Sequence, residues 1–556
     1  MRYSDLTRRS LLRGLTLGAG AAGGTLLGGV GLAAAAYNEP PVATTRLGKI
    51  RGFIDNGICA FKGIPYGDDT AKRRFMAPVP APPWTGTRDT LRSGPRAPQP
   101  TAAPARGGVG AGRAPAAGRG PSLFAESGPP APVSEDCLWL NVWTPGLRDG
   151  GKRPVMVWFH GGGYAAGSAN SSASDGVRLC HRGNVVVVSV NHRLNVFGYL
   201  YLAQLGGPEF KDSGNAGQLD LVLALRWVRD NIVEFGGDPT RVLIFGESGG
   251  GAKNACLMAM PAAKGLFQRS SSSSGETVTA SKPETSTARS RLVLKALGVA
   301  PERLNDVKTV PMEALIQASS AAGYWGPVVD GGSLPRHPFD PDAPPQSAQI
   351  PFLVGTNHDE SRLLIGNPAM YDLTWDTLKE NLAKYSEKMG NLSLNTVIAL
   401  YRKVHPDYSP ADVFFGATTD SRDWRPAVVE IERRAAQPKG SAPTYSYQLD
   451  FGSPTDPRRR ACHGMDVPFL FDTVGTPNTL TGDTPESYWM AEQISSAYIA
   501  FAHTGNPNTP GLPHWPPYDL TRRATMSFNV VSKVIDDPRG EERKLFSQVP
   551  YENPGT

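Results

Sequence analysis

Arg241-Val242-Leu243-Ile244-Phe245-Gly246-Glu247-Ser248-Gly249-Gly250-Gly251 is the stretch from which the rest of the chain can be read. Val242 to Phe245 is an uninterrupted apolar run, as a strand buried on both faces requires. Gly-x-Ser-x-Gly follows directly, centred on Ser248. That order suits a sharp strand-to-helix turn that lifts a serine into an exposed, strained position. Side chains at Gly246 or Gly250 would collide with the neighbouring strand or helix in so tight a turn.

The flanking sequence has the rhythm of alternating strands and helices. Pro154 to Phe159 and the valine-rich Asn184 to Val190 read as buried strands. Leu219 to Phe235 reads as a helix with Arg226, Arg229 and Asp230 on its wet side, and Gly236-Gly237-Asp238-Pro239 stops it. Further strands are expected at Pro351 to Val354 and Thr444 to Leu449. The spans 281–325 and 366–440 carry mostly helical patterns. The predicted fold is α/β: a large, mostly parallel central sheet covered by helices on both faces, with helical insertions around the site.

A serine hydroxyl is a weak nucleophile and needs a base, an acid to orient that base, and donors for the oxyanion. His160-Gly161-Gly162-Gly163-Tyr164 follows a predicted strand, and consecutive glycines let backbone N–H groups converge on one point. Among nine histidines, His463 stands apart, on a loop after the sheet in Ala461-Cys462-His463-Gly464-Met465-Asp466. The residues alone leave three carboxylates open as its partner: the adjacent Asp359 and Glu360, and Asp466. On an extended loop, Asp359 and Glu360 point to opposite sides, and glutamate reaches farther.

Taken together, the motifs resemble the type-B carboxylesterases, the large α/β-hydrolase family that includes the cholinesterases. The resemblance runs through Gly63-Ile64-Pro65-Tyr66, Ser134-Glu135-Asp136-Cys137-Leu138, His160-Gly161-Gly162-Gly163, Asn191-His192-Arg193-Leu194, Gly246-Glu247-Ser248, Asn357-His358-Asp359-Glu360, His463-Gly464 and Trp515-Pro516-Pro517-Tyr518. It implies Ser248 as nucleophile, His463 as general base and acid, and Glu360 as the orienting carboxylate. It further implies oxyanion donors at Gly162, Gly163 and Gly249, a charge behind the serine at Glu247, and a structural ion pair between Arg74 and Glu135. Tyr164, Tyr324 and Trp325 are expected to line the substrate pocket. Gly249 stands where the family usually has alanine, and Ser361 where it has glycine. Cys137 matches a family disulfide cysteine whose partner would fall in a stretch without cysteines. The implied reaction is hydrolysis of small or medium carboxylic esters through an acyl-enzyme, with no metal or organic cofactor. Carbamate, amide or lactone hydrolysis by the same groups is the alternative. A non-catalytic member of the family would lack parts of the triad.

The formal charge of +6 is localised: residues 1–36 carry a net +3, as do residues 93–133, so the remainder is neutral. A neutral body argues against nucleic-acid binding. Thr7-Arg8-Arg9-Ser10-Leu11-Leu12-Arg13 and the Gly/Ala/Leu run ending at Ala36 resemble a twin-arginine export signal. This predicts a periplasmic or extracellular protein beginning near Tyr37, with no membrane insertion once the signal is removed. Residues 37–556 then form a single catalytic domain, a monomer or weak homo-oligomer. The Pro/Ala/Gly/Arg-rich residues 93–133 are expected to be a disordered surface insert. With His463 as base, activity should rise with pH through an apparent pKa of roughly 6–7.5.

Overall fold

The computed structural model describes residues 39–100, 131–477, 479–553 and 555. The export signal assigned to residues 1–36 lies outside the described residues.

The apolar runs become the centre of an eleven-stranded sheet. Its strands are β1 (Phe53–Asp55), β2 (Ile58–Pro65), β3 (Trp139–Thr144), β4 (Arg153–Phe159), β5 (Val186–Val190), β6 (Gly237–Glu247), β7 (Arg269–Ser273), β8 (Phe352–Asn357), β9 (Thr444–Leu449), β10 (Ala524–Phe528) and β11 (Lys533–Asp536). Across the sheet the order is β1-β2-β3-β5-β4-β6-β7-β8-β9-β10-β11. Adjacent strands from β5 to β10 run parallel, and the margins pair antiparallel.

The two-residue period of a strand sends alternate side chains to opposite faces. Along β4, Val155, Val157 and Phe159 join one core with Leu221, Leu225 and Val228 of the helix Ala216–Asn231. Met156 and Trp158 join the other core, with Met490, Ile494 and Phe501 of the helix Pro485–Thr504. Both faces are therefore covered, as a parallel sheet requires. The expected helix over 219–235 forms as Ala216–Asn231, followed by a 3-10 turn at Ile232–Phe235. The two expected helical spans fold into separate clusters. One is built on Val293, Leu304 and Leu315, the other on Leu378, Val397, Tyr401 and Phe414.

One expectation changes. The edges of the 93–133 insert are built into the fold: Arg96 N–H donates to Pro132, Ala97 is buried, and Asn195 Nδ2 donates to the Pro98 carbonyl at 2.7 Å. Backbone pairing and side-chain caps hold these edges although their composition signals disorder; residues 101–130 lie outside the described residues. Cys137 is buried and forms no disulfide, in keeping with the lack of a cysteine where the family's partner would fall.

The implied ion pair of Arg74 with Glu135 forms, with Arg74 Nε 2.7 Å from Glu135 Oε2. A deeper pair joins the Asn191–Leu194 segment to the helix Ala216–Asn231. Arg193 and Asp220 are 1% and 0% exposed, and Arg193 uses its backbone N–H, Nε and Nη2 on the one carboxylate. Removing one partner leaves a buried charge alone. Asp220→Ala is expected to lose about 3–5 kcal/mol of stability, read as a lowered urea midpoint with an unchanged m-value.

Candidate active site

Parallel register gathers the site at one edge of the sheet. Phe159 lies opposite Gly246, and Glu247 opposite Ser273, so β4, β6, β7 and β8 end together and release His160, Ser248, Ser274 and the 357–360 turn side by side. Ligand sites of parallel sheets occur at this carboxyl edge.

Ser248 has φ 57° and ψ −128° and caps the helix Gly249–Ala259. Such a backbone persists in a non-glycine residue only where its surroundings enforce it. Here they do. A Cβ on Gly246 would lie 2.5 Å from the Gly250 carbonyl carbon, and one on Gly250 would lie 2.0 Å from the Phe159 carbonyl oxygen. Ser248 N–H donates to the Ser273 carbonyl at 2.8 Å, and a Cβ on Gly275 would lie 1.6 Å from the Ser248 carbonyl.

Gly162 and Gly163 take φ values of 97° and 60°, turning the backbone after β4 across the elbow. Among the described residues, the N–H groups of Gly162, Gly163 and Gly249 make no hydrogen bond. A Cβ on Gly249 would meet the oxygen, Cα and nitrogen of Gly163 at 2.3, 2.5 and 2.5 Å. A side chain at Gly249 would therefore push the 160–163 loop away.

His463 Nδ1 lies 2.6 Å from Glu360 Oε2. Glu360 Oε1 accepts the Ser274 hydroxyl and the Asn357 N–H, the latter at 2.6 Å. Asn357 Nδ2 donates to the Cys462 carbonyl at 2.8 Å, and Asp359 N–H to the Ala461 carbonyl at 2.9 Å, tying the acid turn to the histidine loop. Of the three carboxylates left open, Glu360 is the one in contact with His463. Asp359 receives Arg362 Nε at 2.9 Å, while Asp466 receives Tyr447 and Asn357. The segment is a helical turn, with Glu360 at φ −44° and ψ −49°, rather than an extended loop.

The sequence pattern of the Carboxylesterase family matches residues 39–546. The chain is 33% identical over 524 residues to the para-nitrobenzyl esterase of Bacillus subtilis, covering 91% of this chain and 98% of that protein. It is 32% identical over 508 residues to the phenmedipham hydrolase of Pseudarthrobacter oxydans, covering 86% and 93%. The solved carboxylesterase EST55 of Geobacillus stearothermophilus superimposes with a TM-score of 0.78 at 34% identity, covering 91% of this chain and 99% of that one. The chain belongs to the carboxylesterase family.

In this carboxylesterase the second imidazole nitrogen faces the elbow. His463 Nε2 lies 3.1 Å from Glu247 Oε1, and among the described residues no hydrogen bond joins His463 to Ser248. Such bonds tighten on substrate binding in many enzymes. Burial works against a charge on His463, but Glu247, Glu360 and Asp423 outweigh it and push the imidazole up to about 9. This lies above the 6–7.5 expected from sequence, because three carboxylates surround the ring. Tyr164 and Trp325 pack with Tyr199 and Ala252 beside the elbow helix, and Tyr164 Oη lies 3.1 Å from Thr277. Tyr324 has the Arg289 guanidinium 5.0 Å over its ring.

Sequence reading missed Ser274, Asp423 and Lys253. Ser274 sits at the end of a strand without an apolar signal, and Asp423 in a π-helical turn, Asp420–Trp424, that no residue pattern announces. Lys253, one turn into the elbow helix, reads as a wet-face residue, yet it is 0% exposed and donates to the carbonyls of His160 and Gly163.

A protonated imidazole cannot take a proton, so kcat/KM for an ester should rise about tenfold per pH unit below the His463 pKa and level off above about 9. Glu247→Gln removes the strongest raising charge, and the midpoint should move down. A midpoint left in place by Glu247→Gln would show that this charge does not set it.

Proposed function

We propose that Ser248 is the nucleophile of a serine carboxylic-ester hydrolase acting on small or medium esters. The observation that carries the assignment is the 2.6 Å contact of His463 Nδ1 with Glu360, beside a strained serine whose neighbouring glycine N–H groups make no bond among the described residues. Ser248 attacks the ester carbonyl while His463 Nε2 takes its proton. The oxyanion is held by the N–H groups of Gly162, Gly163 and Gly249. Glu360 keeps the Nδ1–H tautomer and steadies the imidazolium. His463 then protonates the departing alcohol, the acyl-enzyme forms, and water activated by His463 releases the acid. Glu247 acts on this cycle through the charge of His463. Tyr164 and Trp325 give the pocket an aromatic wall suited to apolar substrate parts.

The second reading is carbamate hydrolysis by the same groups. It is favoured by the likeness to a protein named phenmedipham hydrolase. Initial rates on matched ester and carbamate pairs separate the two.

We also propose export by the twin-arginine route, on the strength of Thr7-Arg8-Arg9-Ser10-Leu11-Leu12-Arg13 and the alanine run to Ala36. No helix among the described residues is long and apolar enough to cross a membrane. N-terminal sequencing of the exported protein should begin near Tyr37, and Arg8→Lys with Arg9→Lys should retain the chain inside the cell.

A phosphonate reagent should label Ser248 stoichiometrically, and Ser248→Ala should retain less than about one part in a thousand of the turnover. Glu360→Gln should lose roughly 10³–10⁴ in kcat while remaining folded, with Asp359→Asn and Asp466→Asn losing far less. A crippled aspartate variant beside a mild Glu360→Gln would move the acid elsewhere.

A further inference from the structure

The helix that starts at the elbow presents Gly249 and Lys253 four residues apart, on one face. Both meet the same partner. A Cβ on Gly249 would collide with the Gly163 backbone, and Lys253 Nζ donates to the His160 carbonyl at 3.0 Å and the Gly163 carbonyl at 2.9 Å. Lys253 Nζ also lies 5.5 Å over the Tyr164 ring.

The peptide units of this loop can be taken one at a time. The His160 and Gly163 carbonyls, at its two ends, are held by the one ammonium. The two units between them carry the N–H groups of Gly162 and Gly163. The first contains the Gly161 carbonyl, which lies 2.7 Å from His160 Nδ1. The second contains the Gly162 carbonyl, which accepts from Ala165 and Ala166 at 3.3 and 3.1 Å. All four carbonyls are thus engaged, and both donor-bearing units sit between the two that the lysine grips. A peptide unit is planar, so fixing its carbonyl fixes the direction of its N–H. His192, stacked on His160 at 4.7 Å, is driven well below the ordinary histidine range by burial, by Lys253 and by His160.

We propose that Lys253 is a positioning residue for the oxyanion donors: it draws the His160–Gly163 loop down onto Gly249 and aims the Gly162 and Gly163 N–H groups at the reacting carbonyl. The inference rests on the reading of those N–H groups as the oxyanion hole. The contact is made in the resting enzyme, so donors are aligned before substrate arrives and need no reorganisation as charge develops. Its effect should therefore fall on the transition state and leave ground-state binding nearly untouched.

The test compares Lys253→Met and Lys253→Gln with wild type, using a chromogenic ester and a trifluoromethyl ketone that forms a tetrahedral oxyanion on the serine. In Lys253→Met, kcat should fall at least about tenfold with KM within about threefold, and ketone affinity should fall in step with kcat/KM. Lys253→Gln, which keeps an N–H donor without the charge, should recover part of the loss. Gly249→Ala, which displaces the loop from the other side, should lose kcat in the same way. Unchanged kcat in both Lys253 variants overturns the proposal, as does a loss confined to KM with ketone affinity retained. Should Lys253→Met fail to fold, Lys253→Gln and Gly249→Ala are read by the same split. A phosphonate should still label Ser248 in every Lys253 variant, only more slowly. Failure to label Ser248 in the wild type would instead count against the nucleophile assignment.

Discussion

A methyl group at Gly250 would sit 2.0 Å from the carbonyl oxygen of Phe159, and the whole site depends on the absence of that group. The elbow helix lies directly on the end of β4. Because of this, Ser248 at the end of β6 and the oxyanion loop at the end of β4 emerge within contact of each other. The strained backbone of Ser248 is the local cost, and β7 offsets it through the Ser273 carbonyl. Gly275, the second residue beyond β7, then packs against the serine carbonyl, and the intervening Ser274 turns its hydroxyl to Glu360. One close approach of backbone to backbone thus fixes the serine, its donors and the seat of the acid.

The acid turn and histidine loop follow a different logic, that of complete hydrogen bonding in a buried place. Glu360 is fully buried, and a buried carboxylate is tolerable only with partners. It has three: Ser274, the Asn357 N–H and His463. Each comes from a different segment, so the carboxylate is a junction between β7, β8 and the loop after β9. Asp359 faces the other way and joins Arg362 on the helix Ser361–Leu364. The two neighbouring acids are thereby committed to different tasks.

Much of this was legible in the sequence because it rests on local signals. An apolar run gave the strand at Arg153–Phe159, and the glycines of the elbow and the triglycine announced tight turns. What escaped notice lacks such a signal. Arg269–Ser273 is a central strand made of one arginine and four serines. Three of its four hydroxyls are answered from elsewhere in the chain, Ser271 and Ser273 by Tyr498 and Ser272 by the Gly251 carbonyl. Lys253 escaped for the same reason: its partners are about 90 residues away in the chain. The substitution of glycine for the usual alanine at 249 was visible, but the cause was not, since the nearness of Gly163 exists only in the folded molecule. Likewise Asp423, in the π-helical turn, adds to the raised His463 pKa behind Glu247 and Glu360.

The charges around the site are arranged by sign. On the histidine side lie Glu247, Glu360 and Asp423, with Asp466 behind them. Burial pushes Asp423 and Asp466 only to about 6, so both remain largely ionised at neutral pH, whereas burial lifts Glu430 to about 8 and Glu276 well above the carboxylate range. On the opposite side, beneath the glycine loop, stands the ammonium of Lys253 beside neutral His192. In the proposed reaction, attack by Ser248 would create a positive imidazolium on the first side and a negative oxyanion on the second. The carboxylates favour the former, and the N–H groups backed by the lysine favour the latter. Because both sets are fixed and buried before the reaction begins, they act in a medium of low polarizability where such fields are strong. The same carboxylates that steady the imidazolium also hold His463 protonated in the resting enzyme, so the pH at which the base becomes available and the stabilisation of the transition state are set by one group of charges and cannot be tuned separately.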